Sequence, residues 1–129
     1  MKNSIRQLFV WEASVDLAVR MIALADVLIV KKRYAIADQL VRAALSVPAN
    51  IAEGEGRSTT RDRRHYLVQA RGSLYELETH LEVIARAGLA PVSGDARTLI
   101  AKIGCGLSKM IAQRTSEPLS PCTSDPLHL

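Results

Sequence analysis

Apolar residues recur at alternating spacings of four and three in four separate segments of the chain. Such spacing lines up one side of an α-helix, whereas a strand buried on one face shows strict alternation. The four segments are Trp11–Ile29, Leu40–Gly54, Leu67–Gly88 and Ala96–Met110. The connections between them, near residues 31–34, 55–60 and 89–94, are all short, so neighbouring helices should run in opposite directions. The pattern predicts an all-α fold: an antiparallel up-down-up-down four-helix bundle.

Composition agrees with this fold and sets the domain boundaries. The chain has 129 residues, of which 48% are hydrophobic but only 4% aromatic, so the predicted core is aliphatic. One domain is expected, covering residues 1–114. Residues 115–129 hold three of the five prolines together with several Ser and Thr residues. We expect them to form a mobile Pro/Ser-rich tail.

Cysteine usage and hydropathy indicate the compartment. Cys105 sits in an apolar run and Cys122 in the polar tail, which does not suggest a disulfide framework. The most apolar stretch, Met21–Val30, contains Asp26 and follows charged residues at four-residue spacing. A membrane-spanning helix or a signal peptide would not carry those charges. The sequence therefore predicts a soluble, cytoplasmic protein.

The first helix has more apolar surface than one stripe. A second stripe lies beside the first and consists of Leu17, Met21, Leu24 and Leu28. Two explanations are open at this stage: the helix is deeply buried in its own bundle, or its surplus apolar side faces another subunit.

The second helix combines an internal proline with a polar stripe. Pro48 removes one backbone donor and crowds the carbonyl of Ala44, at a cost of about 3 kcal/mol in a plain helix. The stripe flanks the apolar side, where polar groups are expected to be partly buried and hydrogen-bonded. We predict a polar network between helices 2 and 3, the alternative being a solvated face with loose ion pairs. Its predicted members are Arg42, Ser46, Asn50, Glu53, Ser73 and Glu76.

Catalytic chemistry is weakly indicated. Glu53 and Glu76 are the available acid–base pair, and Ser46 or Ser73 the available nucleophile. However, no histidine has the spacing of a partner, no cluster has metal-ligand spacing, and no glycine loop matches a phosphate cradle. The sequence predicts no enzyme, no catalytic or metal site and no cofactor.

Basic residues concentrate at one end of the predicted bundle, which we term the basic pole. In an antiparallel bundle this end unites the start of helix 1, the end of helix 2, the start of helix 3 and the end of helix 4. The basic pole comprises Lys2, Arg6, Arg57, Arg61, Arg63, Arg64, Lys109 and Arg114. The predicted nucleic-acid contacts are Arg57, Arg61, Arg63, Arg64, Lys2 and Arg6.

Arginine forks bind phosphate oxygens in pairs, so the basic pole suits a nucleic-acid backbone. The scarcity of aromatic residues argues against stacking on single-stranded bases. Binding should therefore be phosphate-led, salt-sensitive and weak in sequence preference. For an isolated monomer, a merely solvated basic end explains the charge equally well. An oligomer that gathered several copies of this pole would have a much stronger field.

Two stretches carry a family resemblance. They read QLVRAALSVPANIAEGEGR, at 39–57, and YLVQARGSLYELETHL, at 66–81. Together with VWEASVDLA at 10–18, they resemble the 23S rRNA intervening-sequence protein family of bacterial four-helix-bundle proteins. The resemblance covers about residues 8–113, and its middle section is the specific part. The sequence departs from the family pattern after helix 1, where the usual Phe-Pro is missing, and in the tail.

The resemblance implies a bundle that assembles into a ring-like homopentamer and has no established enzymatic activity. A related branch is the accessory protein of diversity-generating retroelements, which is basic, binds nucleic acid and contacts the reverse transcriptase. Residues at the family's motif positions include the predicted polar network and also Pro48, Gly54, Gly56, Arg57 and Gly72.

Three functions follow for testing. The first is a non-enzymatic oligomeric module that binds nucleic acid or a nucleoprotein through its basic pole. The second is a protein adaptor, for instance for a reverse transcriptase, or a purely structural oligomer. The third, an enzyme using Glu53 and Glu76, would require one of them to titrate near neutral pH.

Overall fold

The computed structural model describes residues 5–113 and contains four α-helices within that range. They are α1 (Ile5–Val30), α2 (Tyr34–Glu55), α3 (Thr60–Arg86) and α4 (Gly94–Ala112). No strand occurs among these residues, so the predicted all-α class and the four-helix count are confirmed. The predicted tail, residues 115–129, lies outside the described part of the chain.

The helix ends follow from local capping chemistry. The Thr59 hydroxyl accepts a hydrogen bond from the Asp62 amide at 3.1 Å and so caps the start of α3. Gly88 ends α3 in the left-handed conformation, with φ of 68°. The amide of Gly88 donates to the Ala85 carbonyl and that of Leu89 to the Ile84 carbonyl. These two bonds form a Schellman motif, which satisfies carbonyls that the helix end would leave open.

The end of α1 has the same motif without a glycine. Lys32 adopts φ of 62° and its amide donates to the Ile29 carbonyl at 2.9 Å. The Arg33 amide donates to the Leu28 carbonyl, also at 2.9 Å. A lysine in the left-handed region is sterically unfavourable, so this turn is held by its surroundings. The Lys31 ammonium contributes by donating to the Leu89 carbonyl beyond the end of α3.

The core is aliphatic, as predicted, and runs the length of all four helices. α1 and α3 each pack against α2 and α4. Leu, Ile, Val, Ala and Met side chains supply the buried cluster, including Leu17, Leu40, Leu74 and Ile103. Burial of these side chains is the main stabilising term of the fold.

Both stripes of α1 are present but are used differently. Leu17, Met21 and Leu28 of the second stripe are buried in the core. In the first stripe Ile22 and Ile29 are exposed. The single chain therefore does not cover all the apolar surface of α1.

Pro48 lies inside α2 without ending it. The Asn50 side-chain amide donates to the Ser46 carbonyl at 2.8 Å, one turn earlier and beside the proline. Pro48 leaves the carbonyl of Ala44 without its helical donor, so the Asn50 bond lies close to the proline but does not replace the lost one.

Cys105, half-buried in α4, is disulfide-bonded. The expectation that the two cysteines form no disulfide framework is therefore wrong. Cys105 sits in an apolar run of the sequence, but α4 leaves it only half-buried. None of the four helices is long and apolar enough to cross a membrane.

Candidate nucleic-acid interface at the basic pole

A buried glutamine connects three helices at the basic pole. Gln7, near the start of α1, has no exposed surface. Its side-chain amide nitrogen donates to Glu55 Oε2, at the end of α2, at 2.5 Å. Its side-chain oxygen accepts from an Arg63 guanidinium nitrogen, in the first turns of α3, at 2.7 Å. The Gln7 side-chain amide therefore joins α1 to the end of α2 and to the start of α3.

Gly54 brings α2 and α3 close together just before that connection. A Cβ atom added to Gly54 would lie 3.1 Å from Tyr66 Cβ and 3.2 Å from the Arg63 carbonyl oxygen. Both distances are tighter than ordinary van der Waals contact, so only a hydrogen fits easily there. The glycine and the Gln7 hydrogen bonds together fix the position of the arginine-rich start of α3.

Arg57 is held beside the connection by three interactions. Its guanidinium donates to Glu53 Oε1 at 2.5 Å and to the Tyr66 hydroxyl at 2.8 Å. It also stacks over the Tyr66 ring, 4.7 Å from the ring centroid. The side chain keeps over a third of its surface exposed, so it is oriented but accessible.

The predicted phosphate contacts divide into groups. Arg61 and Arg64 are exposed and form no hydrogen bond or ion pair with any residue in 5–113. Arg63 is half-buried and directed at Gln7, so it supports the pole from inside. Arg6 is half-buried in the first turn of α1, and Lys2 lies outside the described residues.

The predicted polar network is brought together only in part. The hydroxyls of Ser46 and Ser73 lie 2.7 Å apart and join α2 to α3. The Asn50 amide donates to the Ser46 hydroxyl at 3.0 Å. The remaining members pair with residues four positions away in the sequence: Arg42 with Asp38, Glu53 with Arg57, and Glu76 with His80. Glu53 and Glu76, the candidate acid–base pair, thus have separate partners.

Sequence reasoning missed Gln7 and Tyr66 as parts of the pole. A signal for Gln7 was available. The second apolar stripe of α1, extended backwards at the same spacing, runs through Ser14 and Val10 to Gln7. Ser14 and Gln7 are the two buried polar residues of the described chain, and both lie on this core-facing line. Their polarity hid the continuation of the pattern.

Other sites receive no support in the described region. Residues 5–113 contain no group of three or more His, Cys, Asp or Glu side chains arranged to hold a metal ion.

A cleft of about 430 Å³ between α3 and α4 is lined by Glu78, Glu82, Arg86 and Arg97 together with Leu81 and Ile100. Glu82 accepts hydrogen bonds from Arg86 of its own helix and from Arg97 across the cleft, and these bonds lower the pKa of the Glu82 carboxyl. Burial raises the pKa of the neighbouring Glu78 carboxyl.

Residues 5–113 thus form four α-helices, and at the basic pole the buried Gln7 side chain connects three of them. Residues 6–113 match the family of the 23S rRNA-intervening sequence protein, and because the match spans most of the chain, the protein belongs to that family. The resemblance noted in the sequence is thereby confirmed.

A solved structure has the same fold. It is the crystal structure of a protein of unknown function from the S23 ribosomal protein family of Bacteroides thetaiotaomicron. The TM-score is 0.74 at 23% sequence identity, covering 83% of this chain and 98% of the other. At this identity the likeness establishes the fold alone. No curated protein matches the sequence.

Proposed function

We propose that this protein is a non-enzymatic, antiparallel four-helix bundle that assembles as a homo-oligomer and binds nucleic-acid phosphates through its basic pole. The observation that carries the proposal is the contrast among the arginines of α3. Arg63 is bonded to buried Gln7, whereas Arg61 and Arg64 extend from the same helical turn with no partner among residues 5–113. Two free guanidinium groups on a rigidly held helix start are suited to paired phosphate oxygens.

Electrostatics of the helix start favour the same ligand. The N-terminus of α3 carries the positive end of the helix dipole and backbone amides without intrahelical acceptors. Thr59 satisfies one of these amides. A phosphate group near Arg61 and Arg64 would experience this field in addition to the two full charges.

Two parts of the proposal have separate support: the antiparallel arrangement of helices within one copy and the association of several copies. The contact of Gln7 with Glu55 and Arg63 fits neighbouring helices that run in opposite directions. Such an arrangement gathers the arginines at one end. The uncovered apolar side of α1 supports self-association, and the family resemblance implies a ring-like homopentamer. A ring would bring several basic poles together and multiply their field.

An adaptor that docks a protein partner is the second candidate function. The observation that favours it is the same uncovered side of α1. Apolar docking and phosphate binding differ in their salt dependence, because only phosphate binding releases condensed counterions.

The test is fluorescence anisotropy of the full chain with labelled duplex DNA and with structured RNA, at low and near-physiological salt. The double variant Arg61→Glu/Arg64→Glu is compared with Arg33→Glu/Arg42→Glu. The control changes the net charge equally but lies away from the basic pole. We expect the first variant to lose affinity at least about tenfold and the slope of log K against log salt to fall by about two. The control should retain most of the binding.

Two results would contradict the proposal. One is wild-type affinity in Arg61→Glu/Arg64→Glu with the fold intact by circular dichroism. The other is an absence of binding by the wild-type protein at low salt, which would mean that the basic side chains of the pole are merely solvated. Preference for DNA or RNA is read from the same titrations.

A further inference from the structure

The outer face of α1 is apolar and uncovered. We define it by the residues on the side of α1 opposite the core. They are Leu8, Glu12, Asp16, Val19, Ile22, Asp26 and Ile29. Val19 exposes 61% and Ile22 43% of its surface. A row of large apolar side chains on one helix is unusual for the surface of a monomer.

Three acids on this face have no ion-pair partner among residues 5–113. Four acids elsewhere pair with a residue four positions along, in the pairs Asp38–Arg42, Glu53–Arg57, Glu76–His80 and Glu82–Arg86, whereas the exposed Asp62 and Asp95 do not. Glu12, Asp16 and Asp26 form no ion pair with any residue in 5–113. The outer face of α1 therefore combines uncovered apolar groups with uncompensated negative charge.

The outer face of α3 has the complementary composition. It is defined by Val68, Gly72 and Val83 in its middle and by Arg61, Arg64 and Arg86 towards its ends. Val68 and Val83 are exposed, and Val83 exposes 54% of its surface. Two acids flank this row and both are paired, Glu76 with His80 and Glu82 with Arg86. This face therefore offers apolar groups, with positive charge at Arg61 and Arg64 that is unpaired among residues 5–113.

Gly72 is the feature of α3 that the single chain does not explain. It lies in the middle of a 27-residue helix, where glycine is among the poorest helix formers. An added Cβ at Gly54 or Gly106 would press against Tyr66 or Val10, which accounts for those glycines. Among residues 5–113, an added Cβ at Gly72 would meet nothing within 4 Å. The described part of the chain therefore does not account for this glycine, whereas a close approach by a second copy would.

We propose that the outer face of α1 of one copy packs on the outer face of α3 of a second copy, with Gly72 at the closest approach. The proposal rests on the homo-oligomer of the proposed function and deepens it by naming both contact surfaces. The two faces match in being apolar and are opposite in charge. The backbones of α1 and α3 are not adjacent within the chain, and their side chains meet through the buried Gln7 and Arg63, away from the two outer faces. Each copy therefore has both outer faces available.

The contact is heterologous, because two different faces of the chain meet. Each copy keeps one free α1 face and one free α3 face until a ring closes. In a chain whose α1 face or α3 face is disabled by mutation, only the other face can still bind another copy. This property separates the proposed contact from a two-fold symmetric one.

The test measures the oligomeric state of the full chain by native mass spectrometry and light scattering. Val19→Glu disables the outer face of α1 and Gly72→Glu disables that of α3. Thr98→Glu is the matched control, since it adds the same charge at an exposed position of α4. We expect the wild type and Thr98→Glu to assemble equally. Val19→Glu and Gly72→Glu should each be monomeric at concentrations at least about tenfold above the assembly midpoint of the wild type.

Mixing the two disabled variants gives the decisive result. The intact α3 face of Val19→Glu can bind the intact α1 face of Gly72→Glu. We expect a one-to-one dimer that does not grow further. A mixture that stays monomeric would overturn the proposal, as would wild-type assembly by either variant alone.

Gly72→Ala guards against a simple folding defect. Alanine improves helix propensity and has free space in the single chain, so the monomer should become more resistant to urea. The same methyl group should weaken assembly severalfold. Weaker assembly in a more stable chain supports the contact, whereas unchanged assembly would overturn it. A monomeric wild type would overturn the homo-oligomer as well. Anisotropy titration of Val19→Glu, which keeps Arg61 and Arg64, tests the basic pole independently of assembly.

Discussion

Gly106 in α4 lies against Val10 in α1 with no room for a side chain. A Cβ atom added to the glycine would come within 2.4 Å of Val10 Cγ2. Real Cβ atoms do not approach other heavy atoms so closely, so an alanine here requires α1 or α4 to shift. Valine offers little relief, since its branched side chain has few rotamers in a helix. The pair sets how closely the two helices pack near the basic pole.

Gly106→Ala should therefore destabilise the protein. Overpacking of this kind costs about 1–3 kcal/mol, and the better helix propensity of alanine returns about 1 kcal/mol. We expect a net loss of about 1 kcal/mol in the free energy of unfolding, measured by urea titration. Val10→Ala alone should cost about 2 kcal/mol through its cavity.

The double variant Val10→Ala/Gly106→Ala tests the cause. The added methyl group then occupies the space left by the valine. The double variant should be more stable than the sum of the two single effects predicts, by about 1 kcal/mol. Strict additivity would show that the two residues do not compete for the same space.

Gln7→Leu should weaken the same end of the molecule by another route. Leucine fills the volume but loses the hydrogen bonds to Glu55 and Arg63. A hydrogen bond to a charged group contributes about 1.5–3 kcal/mol, so we expect a loss of about 2 kcal/mol or more. Gln39→Leu, at an exposed position of α2, is the control and should change stability by less than about 0.5 kcal/mol.

Hydrogen exchange locates the effect of Gln7→Leu. If the glutamine joins three helices at the basic pole, amides at the α2–α3 connection should exchange faster, while those near residues 87–93 keep wild-type rates. Uniformly faster exchange would mean that the glutamine supports the core in general and has no special role at the pole.

Much of the fold was predictable because spacing alone decides which side of a helix is buried. The stripes placed all four helices, and the third stripe ended at Gly88, where α3 ends in a left-handed turn. The site was less predictable. The polarity of Gln7 concealed its core position, and the different orientations of Arg63 and Arg64 depend on how α1 packs beside α3. The spacing of residues along the sequence predicts the direction in which a side chain leaves the helix axis, but it does not predict which residue that side chain contacts.

Lys32→Gly should stabilise the protein. Lys32 occupies the left-handed conformation that glycine adopts freely, and the Schellman bonds of this turn use backbone atoms only. We expect a gain of about 1 kcal/mol in the free energy of unfolding. Gly88→Ala is the mirror experiment at the end of α3, where φ is also positive, and should cost about 1 kcal/mol. Equal signs for the two variants would contradict the interpretation.

Two carboxyls in the cleft between α3 and α4 should affect stability with opposite signs. Hydrogen bonds from Arg86 and Arg97 lower the pKa of Glu82 in the folded state. Its contribution is present above its unfolded pKa and is lost as the pH falls through the folded value. Burial raises the pKa of Glu78, so folding favours its protonated form. Its contribution is present at low pH and is lost as the pH rises through the folded pKa.

Replacing each of the two carboxyls by glutamine tests their opposite effects on stability. At pH 7, Glu82→Gln should unfold at lower urea concentration than the wild type, and Glu78→Gln at higher concentration. Towards about pH 3 both carboxyls of the wild type become protonated, and both differences should shrink. Asp95→Asn, at an exposed position in α4 outside this cleft, controls for the loss of one negative charge. Destabilisation by Glu78→Gln at pH 7 would show that attraction by Arg97 outweighs the burial of the Glu78 carboxyl.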